Sequence, residues 1–324
     1  GSVFKAGQLP PEVRRNRMTE TLIFICAGTM AAATPILFAA MGELVVERTG
    51  VLNLSIEGMM ATGAAAAFAV ATVYESSLLG FAVATISAGL LSVVFATLTL
   101  IFLANQVAAG LAVGILGLGV SALIGKKHEG FTIEPLKSVD WGFLSDIPVV
   151  GRILFQHDFV LYAGILLIAI VWFVLTRTKL GLIIKAVGEA PEAAHAIGYS
   201  VILIRFLAVF FGGAMAGLGG AYLTLAYTPL WAEGLVAGRG WIAVALVVFG
   251  SWRAHRVALG AYLFGAMSLL ELSIQGLGLA IPSQALSAAP YVMTIVILVL
   301  ISRDARQIRL NSPASLGVTY RHQS

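Results

Sequence analysis

The chain has 324 residues, of which 59% are hydrophobic and only 11% are charged, and its net charge is +4. Since a soluble domain carries about 25% charged residues, this composition excludes an ordinary soluble protein and indicates an integral membrane protein. The apolar runs do not alternate with polar residues as the strands of a membrane barrel do, so they predict membrane-spanning helices. Basic residues gather at the ends of these runs, which accounts for the positive charge without a nucleic-acid partner.

The chain begins with a polar segment, residues 1–17, in which Gly1 and Ser2 resemble the remnant of a cleaved tag. We interpret this segment as cytoplasmic and partly tag-derived. Residues 18–305 form the predicted transmembrane domain, and residues 306–324 a cytoplasmic C-terminal tail.

Nine apolar runs follow, most of them about as long as a membrane-spanning helix requires. The stretch 42–58, between the first two runs, is ambiguous because it mixes charged and apolar residues. The nine runs cover about 20–41, 59–74, 78–103, 106–124, 158–176, 204–228, 240–252, 257–277 and 287–302.

The distribution of charges bears on the number of crossings. Four segments carry an excess of Lys and Arg and are expected in the cytoplasm: the N-terminus, loop 177–205, the short loop with Arg253 and Arg256, and the C-terminus. Loop 125–157 shows no such excess and can lie outside. An inside N-terminus and an outside loop require an odd number of crossings between them, so the sequence favours a broken extra crossing at 42–58 and about ten in all. Nine crossings with the N-terminus outside is the alternative. The basic residues concerned are Arg14, Arg15, Arg17, Arg177, Lys179, Lys185, Arg205, Arg253, Arg256, Arg303, Arg306 and Arg309.

Ten crossings would divide into five plus five, which places the two halves in opposite orientations, as in an inverted repeat. A weak internal sequence similarity supports this division. Residues 50–58 and 240–250 are both glycine-bounded apolar stretches beside a charged turn. The predicted fold is therefore an all-α polytopic bundle with broken or short helices.

A polar stretch, residues 181–199, separates the fifth and sixth apolar runs. Pro191 suits the first position of a helix, and Gly198 suits its left-handed end. The predicted helix, 191–197, is about 10 Å long and cannot cross a bilayer. Its small apolar face favours docking into a partner, and an ordinary loop helix is the alternative. That face comprises Ala193, Ala194, Ala196 and Ile197.

Asn53, Ser55 and Glu57 lie where the chain re-enters a span. Transporters place solute sites at broken helices, where free backbone ends and polar side chains line a cavity. An ionisable residue within the membrane is costly, so Glu57 is a candidate by default. The alternative is structural: Asn53 caps a helix that begins near residue 54, and the polar groups pair with one another.

Glu271 and Gln275 lie one turn apart, with Ser268 one turn earlier, and form a polar stripe on one helix face. This stripe either lines the solute pathway or binds a neighbouring helix. Trp241 lies near a span end, where interfacial anchoring is common. Stacking against an aromatic solute is the alternative for Trp241.

The motifs of several other functions are missing from the sequence. The only Gly-Lys pair, Gly125-Lys126, is followed by Lys127, so no phosphate-binding loop of the Walker A type is present. The histidines are scattered without ligand spacing, and no nucleophile–base pattern is visible. We therefore expect no metal, no cofactor and no enzyme activity in this chain.

Three blocks carry a resemblance to a known family: residues 42–60, 188–198 and 238–252. In this order they resemble the permeases of ABC importers of the branched-chain amino acid and ribose type. They are most similar to the simple-sugar branch, some members of which import nucleosides. The similarity extends over about 20–305.

This resemblance implies a permease subunit in a bacterial cytoplasmic (inner) membrane, moving a solute inward by alternating access. It implies three kinds of partner: two cytoplasmic ATPases that bind the ATP, a second permease that is often a different chain, and an external solute-binding protein. A nucleoside is the first choice of solute; riboflavin, a simple sugar and a branched-chain amino acid are alternatives. The short helix becomes a coupling helix, with the coupling residues Glu189, Pro191, Glu192, Ala193, Ala194, His195, Ile197 and Gly198.

Two functions of other classes stay open. In a secondary transporter, Glu57 or Glu271 would carry a proton and no ATPase would be needed. In a membrane scaffold, residues 189–198 would recruit partners and nothing would be transported.

Overall fold

The computed structural model describes residues 11–145, 147–276, 283–301 and 311–320. Within these ranges every named element is a helix, and the one extended pairing is an isolated bridge between Thr132 and Leu230. This confirms the all-α prediction. The basic residues expected at 303, 306 and 309 lie outside the described residues. The main helices are α1 Pro11–Arg48, α2 Ile56–Tyr74, α3 Ser77–Ala96, α4 Gln106–Gly125, α5 Phe159–Arg177, α6 Lys179–Glu189, α7 Pro191–Ala196, α8 Val201–Tyr222, α9 Arg239–Phe249, α10 Ala254–Gly276 and α11 Ser283–Ile301.

Seven helices of the described residues are long and apolar enough to cross a membrane: α1 from Ile23 onward, α2, α3, α4, α5, α8 and α10. One wider π-helical turn extends α3 through Thr97–Ile101, and another extends α8 through Leu223–Tyr227. Helix α9 has only 11 residues, about 16 Å at 1.5 Å per residue, or roughly half of a bilayer core. A multi-pass helical bundle is therefore confirmed.

Large apolar side chains cover the outside of this bundle. Ile115 and Leu123 on α4 are 70% and 75% exposed, and Leu166 on α5 is 59% exposed. A water-soluble bundle keeps such contiguous apolar surface small. The outer surface is therefore suited to lipid.

The bundle has two ends, which we name by what lies there. The loop end carries residues 126–158, and the α7 end carries α6 and α7. Helix α1 starts near the loop end, where Arg152 Nη1 lies 2.7 Å from Glu20 Oε1. It finishes at the α7 end, where Arg48 Nη2 donates to the carbonyl of Trp252 over 2.7 Å. Thus α1 traverses the molecule once.

The additional crossing expected at 42–58 is not present in the structure. Residues 42–48 are the last two turns of α1, residues 49–55 are not helical, and α2 begins at Ile56. The prediction was wrong because it took these charged residues for a break between crossings, whereas Glu43 and Glu47 are fully buried within α1. Asn53 N donates to one of these carboxylates and Trp252 Nε1 to the other, so the helix continues through them.

Helices α1 and α8 pack against each other at the centre, with α10 against α1, α3 against α8, and α2 among α3, α4 and α8. Glycine permits the closest approach between these helices. A Cβ atom on Gly217 would lie 2.4 Å from the carbonyl oxygen of Ala84, and one on Gly220 would lie 2.0 Å from that of Met60. The glycines of α8 therefore serve helix packing, as small residues do in membrane bundles.

Candidate functional site

Two crossings of the bundle are interrupted, and they enter from opposite ends. Residues 49–55 enter non-helically from the α7 end and lead into α2. Residues 228–238 enter from the loop end, where Ile133 N donates to the carbonyl of Pro229 over 3.2 Å, and lead into α9. The starts of α2 and α9 meet inside the bundle at Glu57.

The Glu57 carboxylate holds the first turn of α9. Its Oε1 accepts from Gly238 N and its Oε2 from Gly240 N, each over 2.7 Å, and the residue is only 4% exposed. The first N–H groups of a helix have no partner within the helix and carry partial positive charge. A carboxylate therefore satisfies them with strong, charge-assisted hydrogen bonds.

The glycines of this junction are required by close contact. A Cβ atom on Gly240 would lie 2.6 Å from the main-chain N and Cα of Glu57. Gly238 has φ of +80°, a conformation that side chains other than glycine rarely adopt. The sequence Gly238-Arg239-Gly240 thus lets the start of α9 reach Glu57.

Helix α4 fixes the start of α2 from the other side. A Cβ atom on Gly58 would lie 2.2 Å from the carbonyl oxygen of Gly114, and one on Gly117 would lie 2.5 Å from that of Gly58. Thr62 Oγ1 also donates to Gly117 O over 3.1 Å. Because Gly117 lies near the middle of α4, the junction lies about halfway along the bundle.

Asn53 and Ser55 shape the break before α2. Asn53 Oδ1 accepts from Ser55 N over 3.0 Å and from the Ser55 hydroxyl, and both residues are fully buried. Ser55, not Asn53, is the residue before the first helical position, and it makes no side-chain cap. The expected Asn53 cap is therefore corrected to a local turn in which the side chain bonds to the backbone two residues on.

A cavity of 190 Å³ lies beside the junction. Glu57 is the one predicted pathway residue that lines it; Asn53, Ser55, Trp241, Glu271 and Gln275 are not among its described lining residues. Residues 231–237, which lead into α9, form one wall, and none of them was predicted to line the solute pathway. The rest of the lining comes from Ala61 and Ala64 of α2 and from Leu118, Ser121 and Ala122 of α4.

The side chains of Trp241, Glu271 and Gln275 do not line this cavity. Gln275 Nε2 donates to Glu271 Oε1 over 3.1 Å, so the polar stripe on α10 pairs along its own helix. Trp241 is 52% exposed on α9. The main-chain N–H of Trp241 nevertheless binds Glu57 at the start of α9. Glu271 and Glu57 both lie close enough to Tyr291 to act on it electrostatically.

The short helix predicted at 191–197 is present as α7, Pro191–Ala196, with Pro191 in its first turn. Gly198 has φ of +96°. Gly198 N donates to His195 O over 2.8 Å and Tyr199 N to Ala194 O over 3.1 Å, which together form a Schellman cap. The local sequence signals for this helix are confirmed.

The face that α7 offers differs from the predicted one. Ala194 is only 2% exposed, because it packs on Val187 and Val201 within this chain. It cannot supply a docking surface, so its predicted place in one is wrong. Ile197 is 71% exposed. Exposed beside it are Glu192, Ala193, His195 and Gly198, whereas Pro191 is half-buried.

The C-terminal segment, residues 311–320, is a feature that sequence reasoning missed. Ser315 Oγ donates to Gly188 O over 2.6 Å and accepts from Arg205 Nη2 over 2.8 Å. Gly317 N donates to Gly50 O over 3.2 Å. This segment therefore joins the end of α6 to the start of the first broken crossing. The one signal in the sequence was a charge, Arg205, in an otherwise apolar run.

Among the described residues, no group of three or more His, Cys, Asp or Glu side chains could hold a metal ion. The polar groups of the junction bind one another and the ends of two helices. This arrangement holds the two interrupted crossings against each other beside a small cavity.

Comparison with known proteins shows the family of the chain. A family described as the permease component of branched-chain amino acid transport systems matches residues 25–301. The chain is 39% identical to a protein of Haloferax volcanii named, provisionally, as a glucose ABC transporter permease, over 91% of this chain and 96% of that protein. It is 33% identical to a guanosine ABC transporter permease of Bacillus subtilis, over 94% and 98%. It is 30% identical to a nucleoside ABC transporter permease of Lactococcus lactis, over 94% and 98%.

No solved structure matches the chain. The family match covers most of the chain, and all three relatives align along nearly their whole length. ABC permeases of this kind work with ATPase and solute-binding partners and are not themselves an enzyme family. The chain therefore belongs to the branched-chain amino acid transport permease family, and it is a multi-pass inner-membrane permease subunit of an ABC importer.

Proposed function

We propose that this permease carries a nucleoside inward, with a simple sugar as the second candidate. Two relatives at 30% identity or above are named for guanosine and for nucleosides. The relative at 39% is named for glucose, which favours the second candidate. Both solutes present a hydroxylated sugar ring. Riboflavin and branched-chain amino acids have no such support among these relatives.

The proposed orientation places the loop end outside and the α7 end in the cytoplasm. Arg48, Lys185 and Arg253 surround one cavity at the α7 end, as the positive-inside rule expects of a cytoplasmic face. The single traverse of α1 then supports nine crossings with an external N-terminus, in place of about ten.

We further propose that the halves are inverted repeats of four helices rather than five. Helix α1 would correspond to α8, α2 to α9, and α3 to α10. The packing supports this correspondence, because α1 packs on α10 as α8 packs on α3. The two broken crossings that meet at Glu57 are also equivalent in it, and they enter from opposite ends as inverted repeats require.

The proposed transport cycle starts at α7, the coupling helix. Closure of two ATPase subunits on ATP moves α7 through the exposed Ile197 and its neighbours. The C-terminal segment passes this motion from Gly188 to Gly50, at the start of the first broken crossing. Such a chain of packed, hydrogen-bonded elements is a physical route for coupling. The junction then shifts and the cavity changes the face to which it opens.

The second permease is proposed to be a different chain. Bacillus subtilis has two guanosine permease proteins that match this chain, at 33% and 25% identity. Haloferax volcanii likewise has two glucose permease relatives, at 39% and 24%. This pairing supports a complex of two unlike permeases, two ATPases and one external binding protein.

Uptake in proteoliposomes tests the proposal. The chain is reconstituted with its ATPase, its second permease and the binding protein, and labelled guanosine, uridine and glucose are supplied. We expect ATP-dependent uptake of nucleosides. Glucose uptake without nucleoside uptake would select the second candidate. Uptake driven by a proton gradient through the chain alone would contradict the whole assignment.

The coupling role of α7 is tested by Ile197→Asp. Loss of one buried apolar contact and introduction of a charge should lower ATPase co-purification by about tenfold or more. Leu182→Asp on α6 is the matched control, since Leu182 and Ile197 are each 71% exposed. An equal loss in the two variants would show that α7 is not the docking element.

A further inference from the structure

A cavity of 240 Å³ at the α7 end is strongly basic. It opens where the end of α1 meets α5, α6 and the start of α10. Three of its lining residues are positively charged, Arg48, Lys185 and Arg253, and His255 adds a neutral imidazole. No acidic side chain is among the described residues that line it.

Arg48 is buried with no carboxylate in salt-bridge contact among the described residues, and Glu189 acts on it only from a greater distance. It is only 8% exposed, and its two terminal nitrogens donate to main-chain carbonyls, of Asn311 over 3.0 Å and of Trp252 over 2.7 Å. Its Nε is buried with no hydrogen-bond partner in the described part of the chain. The nearby carboxylate of Glu47 is bonded to Trp252 Nε1 over 2.6 Å. A buried guanidinium normally binds an acid, so this one has unused capacity for an anion.

Lys185 adds a second cation to the same space. Burial lowers the pKa of Lys185, and the nearby positive charge of Arg48 lowers it further. Like charges confined together repel, and an anion between them would relieve this repulsion. Arg253 is half-buried and His255 exposed at the mouth of the cavity.

The surroundings favour a lipid as the source of the anion. Trp172 lines the cavity and is 42% exposed, as expected for a tryptophan at a membrane interface. Toward the middle of α5 on the same helix face, Ile165 is 38% exposed and Ala169 is also exposed, and they offer an apolar surface for an acyl chain. Basic pockets between membrane helices are suited to anionic head groups.

We propose that this cavity binds a phosphate group, supplied by the head group of an anionic phospholipid. Arg48 and Lys185 would contact the phosphate oxygens from the inside, and Arg253 and His255 from the mouth. The α5 surface would take the acyl chain. Free phosphate has the same chemistry and is the second source to be tested.

The test uses the full chain in neutral detergent and native mass spectrometry. Phosphatidylglycerol, phosphatidylcholine and inorganic phosphate are titrated separately. We expect phosphatidylglycerol to remain bound at collision energies that remove phosphatidylcholine. Retention of inorganic phosphate in the same manner would identify a free anion as the ligand. Dissociation of all three ligands at the same collision energy would overturn the proposal, and no variant would be needed.

A pair of double variants locates the site. Lys185→Gln with Arg253→Gln should weaken phosphatidylglycerol retention by about fivefold for each charge removed. Arg177→Gln with Lys179→Gln is the control, because both residues are exposed at the same end and do not line the cavity. An equal loss in the two variants would show nonspecific attraction and overturn the site. If the first double variant fails to fold, Lys185→Gln alone is compared with Lys179→Gln.

Discussion

At the scale of single residues, Glu57 has the clearest role. An acidic side chain in an apolar region is costly, and this cost alone marks it as a candidate in the sequence. Its partners could not be foreseen, because the two main-chain N–H groups that it binds lie 181 and 183 positions later. The carboxylate is a clamp between two helix starts, and it also forms part of the cavity wall.

Glu57→Gln tests the clamp. Glutamine keeps the shape but replaces one acceptor oxygen with an NH2 group, which would face an N–H donor. We expect a loss of about 1–3 kcal/mol of stability, the cost of an unsatisfied buried group. The measurement is the melting temperature of the purified chain.

Glu233→Gln is the control for this substitution, since Glu233 lines the same cavity but is exposed. It should melt as the unaltered chain does. If Glu57→Gln melts no lower than Glu233→Gln, the two hydrogen bonds to α9 do not stabilise the junction.

At the scale of elements, local signals and long-range contacts explain which expectations held. Helix α7 was predictable because Pro191 and Gly198 act within its own few residues. The end of α1 was not, because Glu43 and Glu47 continue a helix only when Asn53 and Trp252 bind them. For the same reason, the inward face of α7 was misassigned, since Ala194 is covered by Val187 and Val201 from neighbouring helices.

The C-terminal segment is the element most open to test. Ser315→Ala removes the hydroxyl that binds both Gly188 and Arg205, and leaves the buried Arg205 with one partner fewer. We expect amides in 311–320 to exchange with solvent about tenfold faster, because local opening becomes easier. Hydrogen–deuterium exchange measures this rate.

Ser312 lies three residues earlier in the same segment, so the variant Ser312→Ala serves as the reference. Its exchange should match that of the unaltered chain. Equal protection in both variants would mean that Ser315 does not hold the segment against α6.

At the scale of the whole molecule, composition was sufficient to predict a helical membrane protein, whereas the number of membrane crossings stays a proposal. A high apolar content and long unbroken runs predict a helical membrane bundle directly. The number of membrane crossings depends on the side of the membrane on which the N-terminus lies. The distribution of charged residues predicted the same side as α7. The contact of Glu20 with Arg152 places it at the loop end instead.

Cysteine labelling decides this parity. In a Cys26→Ser background, Glu20→Cys, Ser138→Cys and Ser200→Cys are introduced one at a time. A membrane-impermeant maleimide should label positions 20 and 138 in intact cells, and position 200 only after permeabilisation. If positions 20 and 200 are labelled under the same condition, they lie on the same side of the membrane. The chain would then cross the membrane an even number of times between them, as the charge distribution predicts.

The meeting of α2 and α9 at one carboxylate has a mechanical consequence. In the proposed orientation, the two interrupted crossings enter from different faces of the membrane, and α2 and α9 both start at the same hydrogen-bonded joint. A displacement that starts at either face must therefore move the start of the other half-crossing as well. In the proposed transport cycle, we expect this shared joint to keep the two faces of the permease from opening independently.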